Sequence, residues 1–375
     1  MTFRSILWLV LLSLVWTQAP RPTSFTAETA KQIDAIVEAE RTKLKAPGMS
    51  VAVAQANKLV YAKGYGMADV ELSVPAKAET VYRTASIAKA MTATAVMQLV
   101  EQGKLDLDAP VQKYCPAFPE KQWPVTTRHL LGHLGGIRHY KDGIEPNGTK
   151  HFYTIVDSLT LFKDDPLLFE PGTKYNYTTF GYSVLGCAIE GVTGMTYEEY
   201  MRQRVFEPAK MADTGIDHSR RVISNRARGY TRLGTVEFLQ IPEKERARFK
   251  QSDLYIAALH DTSMKIPGGG LVSTAPDLVR FAIAVNTGTL VNEKTRSLMW
   301  TQQKMKDGKL TEYGLGWVIG GSEDKLLVSH SGGQAGTSTL LTMMPSKGTI
   351  IAVMCNQQNT NPTDLVTQIA KLIAP

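Results

Sequence analysis

The sequence predicts an α+β protein in which an antiparallel sheet, flanked by helices from the two chain termini, carries an inserted and mostly helical lobe. Three observations predict it. Segments with period-two apolar alternation fall near both ends of the chain, at 49–55 and 59–65 and again at 313–319, 325–329, 337–344 and 349–356. Between them, from about 86 to 310, apolar residues recur at helical spacing and are cut by Pro/Gly turns. Helical patterns at 29–44 and 363–373 bracket the whole. Strands from opposite ends can share a sheet only if the middle of the chain is set aside as a separate lobe, which leaves a cleft between the two.

Taken in order, Ile33, Ile36 and Val37 mark one face of the first helix, and Pro47-Gly48 ends it. The segments 49–55 and 59–65, joined by Ala56-Asn57-Lys58, read as a hairpin. A long apolar helix follows at 86–101, with Gly103 as its stop signal. Further helices are expected at 126–131, 158–162, 179–191, 196–205 and 275–286. Residues 216–262 are polar and irregular, and read as loops. The chain shows no internal repeat and no low-complexity tract.

At the N-terminus, Arg4 precedes an apolar run to Trp16 and the small-residue stretch Thr17-Gln18-Ala19, the pattern of a secretory signal peptide. Residues 1–19 are therefore expected to be a signal peptide and 20–27 a linker. Residues 28–375 follow as one domain, its α/β lobe at about 28–85 and 311–375 and its helical lobe at about 86–310. Pro20 is awkward after a cleavage site, so an uncleaved anchor is the other reading. The expected location is periplasmic or secreted, with no transmembrane span once the signal is removed. The 375 residues are 43% hydrophobic and 21% charged, ordinary for a globular protein. The 42 Lys+Arg against 35 Asp+Glu give a net charge of +7, spread along the chain. The arginines from Arg220 to Arg232 lack interleaved aromatics, which argues against a nucleic-acid site. Three cysteines (Cys115, Cys187, Cys355) without short spacing suggest neither a disulfide framework nor a zinc site, and Cys187 and Cys355 read as buried thiols. His129 and His133 lack an intervening glutamate, so no metal or cofactor is expected.

The chemistry centres on Ser86 and Lys89. On a helix, residues three apart share a face about 5–6 Å apart, and a serine in the first turn lies beside unsatisfied N–H groups that favour negative charge. Serine needs a base to become a nucleophile. Lysine serves only when its pKa is lowered, and the small apolar residues after Lys89 suggest a helix buried all round. By itself S-x-x-K is weak, since serine at a helix start is commonly only a cap. Two further stretches give it partners: Pro171-Gly172 followed by Tyr175-Asn176-Tyr177-Thr178-Thr179, and His330-Ser331-Gly332-Gly333 between two expected strands.

With these residues the chain resembles the serine β-lactamase and penicillin-binding superfamily, in its class C-like branch, from about residue 30 to the C-terminus. Leu130–Ile137 and Gly268–Leu278 look like framework signatures of that branch. The run His133–Tyr140 looks nearest to the mitochondrial-type serine β-lactamase-like proteins, and the branch also holds D-aminopeptidases and esterases. The resemblance implies a β-lactamase/transpeptidase-like fold and the S-x-x-K element of related enzymes. Ser86 would be the acylated nucleophile, Lys89 its activator and Tyr177 a proton relay. The backbone N–H groups of Ser86 and Gly333 would form the oxyanion hole, with Thr179, His330, Ser331 and Gly332 binding substrate. Two departures stand out. Thr179 occupies the place of an asparagine and has a shorter reach. His330 replaces a lysine that would hold a carboxylate, and a histidine is mostly neutral at pH 7. Esters and peptides are therefore expected above antibiotics. Either Lys89 or the phenolate of Tyr177 could take the Ser86 proton.

The expected function is an exported serine hydrolase, peptidase-like, with esterase or weak β-lactamase activity, acting on a small-molecule or peptide acyl substrate. The alternatives are a β-lactamase or carboxylesterase, or a non-catalytic penicillin-binding sensor or scaffold. Retention of Ser86, Lys89 and Tyr177 argues against the last.

Overall fold

Thr26 starts the first helix: its Oγ1 accepts a hydrogen bond from Thr29 N at 3.1 Å, so α1 (Ala27–Lys43) begins two residues before the apolar pattern does. This computed structural model describes residues 25–141, 145–232, 242–246, 248 and 254–373, so the expected signal peptide lies outside the described residues. After α1 come β1 (Gly48–Gln55), β2 (Lys58–Asp69) and the short β3 (Val74–Pro75), then helices α2 (Ile87–Glu101), α3 (Phe180–Thr193) and α4 (Ala275–Asn286). Strands β4 (Val318–Gly320), β5 (Leu327–Gln334), β6 (Thr337–Met344) and β7 (Thr349–Cys355) follow, and α5 (Thr363–Ile373) comes last. Shorter helices between α2 and α3 and after α3 start at capping threonines, Thr126, Thr154 and Thr196.

The seven strands form one sheet in the order β3-β2-β1-β7-β6-β5-β4, each pair antiparallel. The two ends of the chain meet where β1 pairs with β7, with Val51 opposite Val353. Strand β1 is buried along nearly its whole length because both faces are covered. Met49, Val51 and Val53 pack with Ile33 and Val37 of α1 and with Leu365 and Ile369 of α5. Ala52 and Ala54 point the other way, into the cluster that holds α2 and α4. Helix α4 therefore lies on the sheet, against β1 and β7, as well as adjoining the helical segments.

Three local expectations are corrected. The segment 313–319 is not one strand: Gly316 turns it with φ +88°, and a Cβ there would sit 2.3 Å from Ala93 Cβ, so the chain loops tightly over α2 and only Val318–Gly320 pairs. The run His330-Ser331-Gly332-Gly333 lies inside β5, not between strands, with His330 opposite Leu341 and Gly333 opposite Ser338. The described part of 216–262 contains a small hairpin pairing, Tyr230–Arg232 with Leu254–Ile256.

The cysteines also differ from expectation. Cys115 and Cys187 form a disulfide, while Cys355 is a buried free thiol. Cys187 lies on the same face of α3 as Gly191, whose missing side chain lets the backbone of Tyr114 approach: a Cβ there would be 2.0 Å from Tyr114 O. That close docking brings the two sulfurs together across a separation of 72 residues, which spacing alone could not foretell. No helix among the described residues is long and apolar enough to cross a membrane.

A cross-link closing a loop of that length constrains the unfolded chain by roughly 3–5 kcal/mol. The Cys115→Ser/Cys187→Ser variant is expected to lose stability of that order in urea unfolding, and the wild type to fall by the same amount when unfolded with reductant present.

Candidate active site

Ser86 is presented by a sharp entry into α2. Tyr82–Arg83 pairs with Leu271–Ser273 in a small sheet. Ala85 then adopts φ +46°, a left-handed conformation uncommon for alanine, and Ser86 follows as the N-cap residue of α2 with φ −67°. Every residue from Ile87 to Met97 is buried, Lys89 included at 0% exposure. The uniform apolarity of 87–97, which has almost no polar face, produces this burial.

Lys89 Nζ lies 3.1 Å from Ser86 Oγ, 3.2 Å from Thr179 Oγ1 and 2.7 Å from the Gly268 carbonyl. Burial, and secondarily the nearby charge of Lys265, holds its pKa well below the usual lysine value. A neutral amine has two hydrogens and one lone pair. Gly268 O can only accept, so it fixes one hydrogen, and the lone pair is left to receive the proton of a hydroxyl.

The Tyr177 ring lies beneath the amine, its centroid 4.8 Å from Lys89 Nζ. Burial raises the Tyr177 pKa, and a hydrogen bond with Ser86 lowers it only in part. Burial thus favours the neutral phenol of Tyr177, as it favours the neutral amine of Lys89. The segment carrying Tyr177 and Thr179 is held by the His133–Tyr140 run. His133 Nδ1 accepts from Thr178 N at 3.2 Å, His139 Nδ1 accepts from Thr179 N at 3.3 Å, and Thr178 Oγ1 donates to Arg138 O at 2.7 Å. Both rings must be unprotonated at Nδ1 to accept, and burial lowers the pKa of each, that of His139 to about 4. The framework signature is thus a cradle for the middle motif.

Ser86, Tyr177, Thr179 and Gly333 line one cavity of about 360 Å³. His330, Ser331 and Gly332 do not line it. His330 is buried under Tyr313, its Nε2 2.7 Å from the Tyr313 hydroxyl, and burial together with Lys89 lowers its pKa to about 3. It presents no charge to the cavity. Gly332 packs on the nucleophile turn: a Cβ there would be 2.5 Å from Thr84 O and from Thr339 Oγ1, and 3.0 Å from Ala85 Cβ. Sequence reasoning missed Lys265, Tyr140 and Gln334, which also line the cavity. The sole signal for Lys265 was its place just ahead of the Pro267-Gly268-Gly269-Gly270 run. Burial, then Arg83, lowers its pKa to about 7.

A serine hydroxyl set against a buried amine, at the head of a helix packed on an antiparallel sheet, defines a serine hydrolase of the β-lactamase and transpeptidase fold. Residues 33–374 match the Beta-lactamase family, and the chain belongs to that family. It is 30% identical over 461 residues to the serine beta-lactamase-like protein LACTB, mitochondrial, of Homo sapiens, covering 94% of this chain and 81% of that protein. It is 28% identical to penicillin-binding protein 4* of Bacillus subtilis, over 86% of this chain and 71% of that one. Among solved structures, the octameric penicillin-binding protein homologue from Pyrococcus abyssi superposes with a TM-score of 0.73 at 26% identity, covering 91% of this chain and 77% of its own. The D-amino acid amidase from Ochrobactrum anthropi SV3 shares the fold, with a TM-score of 0.77 at 23% identity over 91% of this chain and 98% of its own.

Two outcomes follow from this packing. Gly332→Ala is expected to cost about 1–3 kcal/mol through overpacking, whereas Gly333→Ala, with nothing within 4 Å of the added Cβ, should stay within about 0.5 kcal/mol; urea midpoints compare them. Lys265 keeps its proton to about pH 10 when unfolded but only to about 7 when folded. Between those values the unfolded state binds more protons, so stability rises with pH, and below pH 7 this contribution is flat. From pH 7 to 9 the Lys265→Met variant should show a slope shallower than wild type by up to about 1.4 kcal/mol per pH unit.

Proposed function

We propose that the protein is an exported serine hydrolase that forms an acyl-enzyme on Ser86, peptidase-like in preference, with esterase and weak β-lactamase turnover. The observation that carries the reading is the fully buried Lys89 amine 3.1 Å from Ser86 Oγ. In the proposed reaction the Lys89 lone pair takes the Ser86 proton as Oγ bonds to the acyl carbon. The tetrahedral oxyanion lies between the N–H groups of Ser86 and Gly333, one such donor typically being worth about 2.7–4 kcal/mol of barrier. Tyr177, a neutral phenol hydrogen-bonded to Ser86, then gives its proton to the leaving group and is reprotonated through Lys89. Water attacks the ester in the second half by the same relay in reverse. Thr179 holds the amine from the place where the family has asparagine.

The neutral, buried His330 supports peptides and esters over antibiotics, since β5 offers no cation for a β-lactam carboxylate. The Cys115–Cys187 disulfide supports export, because such bonds persist in oxidising compartments, and so does the signal-like pattern of residues 1–19.

A fluorophosphonate probe is expected to label the wild type and not Ser86→Ala. Tyr177→Phe should lower kcat by about 10²- to 10⁴-fold. A short-chain p-nitrophenyl ester should turn over faster than a chromogenic cephalosporin. Undiminished labelling of Ser86→Ala removes the nucleophile, and cephalosporin turnover above ester turnover removes the preference.

A further inference from the structure

We propose that Lys265 selects the substrate: its ammonium receives a carboxylate at the distal end of a linear acyl chain, on the helical side of the cavity, away from the β5 edge where a β-lactam carboxylate would need a cation. The assignment rests on the acyl-transfer reading of Ser86. Four observations lead to it. First, the third motif supplies no charge, because His330 is buried against Tyr313 and does not line the cavity. Second, Lys265 does line it while being only 3% exposed. Its stem runs beside the nucleophile turn: a Cβ on Gly269 would be 3.9 Å from Lys265 Cδ and 3.8 Å from the carbonyl carbon of Ala85. Its Nζ lies 5.7 Å from the centroid of the Tyr140 ring, another cavity wall.

Third, the charges around it favour an anion. The carboxylate acting on Lys265 is Asp217, which Arg83 already engages at 2.7 Å and Arg226 engages as well, so two guanidiniums share one acid. No Asp or Glu is among the described residues lining the cavity. Fourth, Gln334 lines the same cavity from the end of β5, with Nε2 buried and without a hydrogen-bond partner among the described residues. A buried amide donor left open is costly, and a substrate oxygen would satisfy it. An arriving carboxylate favours the protonated form of Lys265, which burial and Arg83 hold near its midpoint at neutral pH.

The test uses two esters of equal chain length on the full-length protein, p-nitrophenyl hydrogen adipate and p-nitrophenyl hexanoate, with wild type, Lys265→Gln, Lys265→Arg and Lys265→Glu. Wild type is expected to favour the adipate ester in kcat/KM by about 10- to 100-fold, the worth of a hydrogen bond to a charged group. Lys265→Gln should lose that preference, chiefly through KM for adipate, while hexanoate turnover falls far less. Lys265→Arg should retain part of it, and Lys265→Glu should turn it against the anion. If Lys265→Gln lowers both esters equally, Lys265 acts only through Lys89 and the assignment is overturned. It is equally overturned if wild type hydrolyses hexanoate, is labelled at Ser86 and shows no preference. Failure of wild type to hydrolyse either ester, without Ser86 labelling, would overturn the acyl-transfer reading and the Lys265 assignment with it. Should Lys265→Glu not fold, the Gln and Arg variants decide the question alone.

Discussion

An amine cannot keep its charge cheaply where water does not reach, and the rest of the site depends on that constraint at Lys89. Desolvation, and then the charge of Lys265, lowers the Lys89 pKa well below the usual lysine value. Lys89 is fully buried, and two close approaches are made beside it. A Cβ on Gly268 would lie 2.6 Å from Thr179 Cγ2, and one on Gly316 would lie 2.3 Å from Ala93 Cβ and 3.4 Å from Lys89 O. Gly316 thus lets one segment lie against α2, and Gly268 lets another lie against the start of α3 at Thr179, so a side chain at either glycine would push apart the elements around the amine. Gly268 also supplies the carbonyl that orients the amine.

Around that amine the polar groups are kept uncharged. His133, His139 and His330 are each lowered in pKa by burial and then by Lys89, while Tyr177, Tyr182 and Tyr313 are raised by burial. Protons there are positioned by hydrogen bonds and ring contacts: the His133 ring lies 4.2 Å from Tyr177 in a tilted contact and 4.6 Å from Tyr313 edge-on, between centroids. A neutral surround of this kind is pre-organised and would not repel a positive charge forming on the lysine. Lys265 differs from these groups because it faces the cavity and answers to Arg83 and Asp217.

Much of this was legible in the chain. The apolar residues after Lys89 announced a helix buried on all sides, and the structure buries every residue from Ile87 to Met97. Alternation at both termini announced the shared sheet, because period two survives any connectivity. What failed to show were tertiary contacts. The glycines of 313–319 looked neutral to a strand pattern, yet Gly316 turns the chain over Ala93. Cys115 and Cys187 looked unrelated until the loop before α3 docked at Gly191. Lys265 carried no pattern of its own, since its burial at the cavity wall arises only in the folded chain.

Helices α1 and α5 pack together on one face of the sheet, tied by the Lys43–Asp364 ion pair, while α2 and the cavity belong to the other. The exposed side chains of α1, such as Lys31 and Gln32, therefore lie across the sheet from α2. A surface tether or affinity handle joined at those side chains leaves the approach of reactants unobstructed, so immobilisation and turnover are compatible in one molecule.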